Sequence, residues 1–76
     1  MYEVRGYCAG IRVFSENVPS KELKDFLKDQ KELLESGKLT IRFGTDITQT
    51  ATELCVDVYD KETGAWRNDL SHAFKK

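Results

Sequence analysis

The sequence predicts an α+β domain spanning residues 1–76, with one amphipathic helix packed on a small, mainly antiparallel sheet. Three observations predict it. Apolar residues between positions 20 and 36 recur at helical spacing. Residues 39–43 and 52–59 alternate apolar with polar, the period of a half-buried strand. Turn-forming residues separate these segments, and no repeat, linker or low-complexity stretch divides the chain. The expected order is β-α-β-β-β, with a short C-terminal helix as an optional last element.

Residues 2–14 read as a strand or a strand pair. Tyr2 and Val4 share one face, whereas Tyr7, Ala9, Ile11 and Val13 share the other. A change of phase inside an apolar run points to a bulge or bend, and Gly6 or Gly10 can host it. Residues 15–19 turn the chain into the helix, with Ser20 as the expected N-cap. The helix contains no β-branched residue and no glycine before Gly37, which stands where a left-handed C-terminal residue is usual.

Around this helix the residues fall into three stripes. Leu23, Phe26, Leu27, Leu33 and Leu34 form the apolar face, with Gln30 among them. Lys21, Lys24, Lys28 and Lys31 line one flank, and Glu22, Asp25, Asp29 and Glu32 line the other. Like-charge neighbours outnumber opposite ones at spacings of three and four, and each costs the helix about 0.2–0.5 kcal/mol. Helix stability therefore does not account for the pattern. The two stripes are candidate partner-binding surfaces, against the plainer reading of a solvated face.

In residues 39–43, Leu39, Ile41 and Phe43 are expected to face the helix, and residues 44–50 read as a polar connection. In residues 52–59, Leu54, Val56 and Val58 point inward while Glu53, Cys55, Asp57 and Tyr59 point outward. Asp60 and Gly64 give residues 60–65 the chemistry of a hairpin loop, which sets Tyr59 opposite Trp66 on adjacent strands. Asn68 is placed to cap a last short helix with Leu70, Ala73 and Phe74 on one side.

The second candidate surface is the sheet face away from the helix, where Arg42, Tyr59 and Trp66 are expected to project. These residue types are enriched at binding hot spots. The competing expectation is that residues 68–74 fold over this face and bury its aromatics.

Composition narrows the function classes. The chain is 39% apolar and 33% charged with a net charge of −1, so no overall field steers it to nucleic acid or an anionic membrane. No apolar run approaches the ~20 residues that span a bilayer, and the first residues lack a secretory h-region. A cytoplasmic protein is expected, with Cys8 and Cys55 reduced unless neighbouring strands bring them together. His72 stands near Ser71 and Asp69, yet neighbours in one short turn point in different directions and make no triad. Cys8, Cys55 and His72 have no zinc-site spacing. No cofactor, metal or catalytic role is expected.

What remains is a non-catalytic protein-binding module, an inhibitor or adaptor that occludes a larger macromolecule. Accessory proteins of phages and mobile elements that block host enzymes share this size and lack of chemistry. The alternative is a nucleic-acid-binding domain that stacks bases on the aromatic face and sets the Lys stripe on phosphate. A homodimer through an edge at residues 2–14 or 65–68 stays open.

Overall fold

Two short-range features turn residues 2–18 into a strand pair rather than one strand. The computed structural model describes the backbone of residues 1–76 and every side chain except that of Phe43. In it, β1 (Tyr2–Cys8) and β2 (Ile11–Val18) form an antiparallel hairpin closed by Ala9 and Gly10. Both turn residues take left-handed φ values, 51° and 80°, which match the twist of the flanking strands. The ladder then slips between Gly6 and Tyr7. Gly6 pairs with Phe14 and Tyr7 with Arg12, leaving Val13 as the extra residue of a β-bulge. The phase change read from the sequence is this reversal and bulge together.

A 3₁₀ turn (Ser20–Glu22) leads into α1 (Leu23–Glu35). Ser20 does not cap the helix. The Glu22 N–H donates to the Pro19 carbonyl at 2.9 Å and the Leu23 N–H to the Ser20 carbonyl, so backbone takes the donors that a Ser20 hydroxyl would have met. The C-terminus follows expectation. Gly37 takes φ 75°, its N–H donates to Leu34 O, and Lys38 N–H donates to Leu33 O. These two bonds are the Schellman pattern.

Leu23, Leu27 and Leu34 of α1 are buried, and Phe26 and Gln30 are half-buried. Leu33, expected on the apolar face, is 38% exposed. It sits about 100° round the helix from Leu34 and so falls at the rim of the contact.

The sheet that receives the helix has β5 (Glu53–Asp60) at its centre. β1 pairs β5 on one side, with β2 beyond it at the edge. On the other side β5 pairs β6 (Ala65–Trp66) and then β7 (His72–Lys75). Val4 of β1 and Leu54, Val56 and Val58 of β5 are buried beneath α1, and Cys8 extends the same core. A helix layer on one face of an antiparallel sheet is the α+β architecture expected.

Two expected elements differ. Residues 44–50 are not a plain connection, because β4 (Ile47–Thr50) pairs β3 (Thr40–Phe43) in a separate two-stranded sheet. All of β4 is exposed, so burial left no alternating mark on its sequence. Ile41 is buried and Leu39 half-buried, as expected; the expectation for Phe43 lies outside the described residues. The C-terminal helix is absent as well. A turn in which Leu70 N–H donates to Arg67 O leads into β7 instead. The open side of β5 offers a ladder from Glu53 to Val56, and that long-range pairing overrides a weak local helical spacing.

Cys8 and Cys55 are both free, although their strands are neighbours. Cys55 pairs across from Tyr7 on the outer face, whereas Cys8 points into the core. Burial pushes the Cys8 thiol up, which keeps it protonated and inert.

Candidate binding surface: the open face of the sheet

Alternation along β1 and β5 decides which side chains leave the core. With Val4, Gly6 and Cys8 inward, Glu3, Arg5 and Tyr7 go outward; with Val56 and Val58 inward, Asp57 and Tyr59 go outward. The register sets Glu3 opposite Tyr59, and Tyr59 opposite Trp66.

The Tyr59 and Trp66 rings meet edge to face, with centroids 5.1 Å apart and an interplanar angle of 63°. The Arg5 guanidinium carbon lies 5.3 Å from the Trp66 ring centroid, in the range of a cation–π contact. Arg5 also pairs with Glu3, Nη2 to Oε2 at 2.6 Å. Burial works against the Arg5 charge, but hydrogen bonding to Tyr7 and Glu3 outweighs it and the pKa is raised. The Arg5 Nε is buried and meets no hydrogen-bond partner among the described residues. Trp66 is 47% exposed. Residues 68–74, which were candidates to cover this face, join the sheet or its connecting turn instead.

The loop after β5 holds Trp66 in register. Asp60 is 8% exposed, and its Oδ1 accepts from the Glu62 N–H at 2.9 Å and the Thr63 N–H at 3.4 Å. The Glu62 hydrogen bond, opposed by burial and joined by Thr63 and the Arg67 charge, holds the Asp60 carboxyl below the usual carboxylate range. A depressed carboxylate stabilises the fold above its unfolded-state pKa of about 3.9 and loses that effect as pH falls through the lower folded-state value. Asp60→Asn is therefore expected to melt below wild type at about pH 7, with the gap closing toward about pH 3. Paired thermal melts check this, and a gap that does not change with pH refutes it.

The other expected site residues are elsewhere. Arg42 lies in β3, outside the main sheet, and its side chain donates to the Thr45 carbonyl at 3.1 Å. It does not join Tyr59 and Trp66. Arg5 occupies that place, and its sequence signal was the Glu3–Arg5–Tyr7 alternation, readable only once β1 was known to pair β5. Lys24, Lys28, Lys31, Asp25, Asp29 and Glu32 are all exposed on α1, and Lys21 and Glu22 are exposed on the 3₁₀ turn that leads into it. Among the described residues the helix makes one ion pair, Lys31 with Glu35 at 3.8 Å. Both helix stripes therefore lie on the opposite side of the sheet from Trp66.

His72 stacks on Phe74 at 5.7 Å, while Asp69 is held by Arg67 through contacts of 3.0 and 2.8 Å. Ser71, His72 and Asp69 form no relay. Among the described residues no group of His, Cys, Asp and Glu is arranged to hold a metal ion, and no helix is long and apolar enough to cross a membrane.

No family model, curated protein or solved structure matches the chain.

Proposed function

We propose that this chain is a small non-catalytic protein-binding module, an inhibitor or adaptor that occludes a larger macromolecule through the open face of its sheet. One observation carries the reading. Trp66 is 47% exposed and meets Tyr59 edge to face and the Arg5 guanidinium on the open face of the sheet, with Tyr59 and Arg5 half-buried beside it. Trp, Tyr and Arg are the residues that dominate protein interfaces when water is excluded round them. The stack is already ordered, so a partner loses little side-chain freedom in meeting it.

The neighbouring charges favour a protein over nucleic acid. Glu3 and Asp57 share the face with Arg5, and the Lys stripe points away from it. A single nucleic-acid strand would have to wrap the domain to meet both.

Affinity capture with tagged wild type and Trp66→Ala, each with and without nuclease, tests the reading. The expected result is a stoichiometric protein that survives nuclease and is held roughly 30-fold less tightly by Trp66→Ala, a hot-spot loss of about 2 kcal/mol. Thermal melting should be near that of wild type, since Trp66 contributes little to the core. Capture that vanishes with nuclease and weakens steeply with salt moves the assignment to nucleic acid. Capture unchanged in Trp66→Ala refutes the aromatic face, and capture also unchanged in Lys24→Glu/Lys28→Glu removes the helix stripe.

A further inference from the structure

We propose that the free edge of β2 is a docking strand for an extended basic segment of a partner protein. This surface is separate from the aromatic face and does not depend on it.

β2 is the terminal strand of its sheet and pairs only with β1. Half of its backbone N–H and C=O groups therefore point outward with no ladder partner. The other edge is broken into β6, two residues long, and β7, four residues long, with a turn between them. β2 spans eight residues, with the bulge at Val13 near its start and a regular edge from Phe14 to Val18. It is the longest free backbone edge of the main sheet among the described residues. An extended peptide can add to such an edge, with backbone bonds supplying affinity and alternate side chains supplying specificity.

The chemistry of that peptide is set by what overhangs the edge. A groove of about 310 Å³ runs between β2 and α1. Val18 and Phe26 contribute apolar surface to it, and the carboxylates of Glu16, Glu22, Asp25 and Asp29 line it. None of the four forms an ion pair among the described residues. Glu16 pairs across from Val4, which places it on the helix side of the sheet together with Phe14 and Val18. A strand added beyond β2 directs every second side chain to that same side. Lys or Arg at alternate positions would then stand beside Glu16 and below the acidic flank of α1. The intervening side chains would lie beside Arg12, Ser15 and Asn17, where the Arg12 charge disfavours a second cation, so the basic residues belong on the helix side.

The same carboxylates argue against a second copy of this chain as the occupant. Twofold pairing of β2 with β2 sets each acidic flank beside its own symmetry mate, like charge against like. The edge repels itself and accepts a cationic strand.

The test uses the ¹⁵N-labelled chain and a capped peptide of the length of β2 that alternates Lys with Thr. The same peptide with Glu for Lys is the charge control. Two backbone N-methylated forms, methylated at alternate residues in opposite phases, are the ladder controls. The expected result is amide shifts and slowed exchange along Ile11–Val18 with the Lys peptide, and none with the Glu peptide. Binding should weaken about tenfold or more between roughly 0.02 and 0.2 M salt. One N-methyl phase should lose about tenfold or more in affinity while the other binds nearly as the parent, because only alternate amides face β2. Glu16→Lys/Asp25→Lys should bind the Lys peptide about tenfold less tightly. Trp66→Ala should bind it as wild type does, which separates this surface from the aromatic one.

Absence of shifts along β2 overturns the proposal. So does binding that tolerates both methylation phases, since that is adsorption to the helix charge alone. Concentration-dependent self-association through β2 overturns it too, by making the occupant a second copy.

Discussion

Leu34→Ala is expected to lower the unfolding free energy by about 2–5 kcal/mol. Leu34 is 0% exposed and is one of the largest fully buried side chains, at the point where α1 meets the sheet core. Alanine there removes apolar burial and leaves a cavity that a helix pinned by its Schellman turn can close only in part. Domains gain roughly 0.05–0.15 kcal/mol per residue, so a chain of 76 residues holds about 4–11 kcal/mol in all. The substitution therefore removes a large share of the margin. Urea unfolding followed by circular dichroism measures it, with a lower midpoint at unchanged slope as the expected signature. Leu33→Ala, one position away but 38% exposed, is the control and should cost well under half as much. Equal losses at the two positions would mean that α1 does not rest on the sheet through the Leu34 side.

Gly6→Ala carries the next largest effect, and its sign is informative. Alanine in place of glycine in a strand ordinarily stabilises by about 0.4–1 kcal/mol, by restricting the unfolded chain. Gly6, however, pairs opposite Phe14 on the helix side of the sheet, and a Cβ there would occupy space held by the Phe14 ring. That ring packs edge to face on Phe26 of α1 at 5.7 Å. The methyl group must displace Phe14 and disturb its contact with the helix, an overpacking cost of about 1–3 kcal/mol. Net destabilisation is expected, and Gly6→Ala/Phe14→Leu should be more stable than the sum of the single changes by about 0.5 kcal/mol or more. Unchanged or increased stability of Gly6→Ala would show that Phe14 has room to move.

Elements with burial on one side were legible in the sequence. The leucines of α1 recur every three or four residues because one side of the helix is dry, and Leu54, Val56 and Val58 alternate with polar residues for the same reason. Asp60 and the Tyr59–Trp66 pairing were legible because turn chemistry is local: a carboxylate that bonds the amide two residues on brings adjacent strands into register.

β4 and β7 left no comparable mark. β4 is exposed throughout, so its pairing with β3 rests on backbone groups that every sequence carries. β7 owes its form to the open side of β5, far away in sequence, while residues 70–74 have a spacing that also suits a helix. The candidate site divides in the same way. Tyr59 and Trp66 followed from alternation and a local loop. Arg5 in place of Arg42 was decided by β1 pairing β5 and by β3 leaving the main sheet.

The sequence by itself thus determined the fold class, the helix and its C-terminal stop, the central strand and the aromatic pair, because periodic burial and turn chemistry act within a few residues. Tertiary structure decided the strand order, the free edge at β2, the cation over Trp66 and the removal of Arg42 to a separate sheet. Those depend on hydrogen bonds between backbones far apart in the chain, which carry no side-chain signature of the partner they choose.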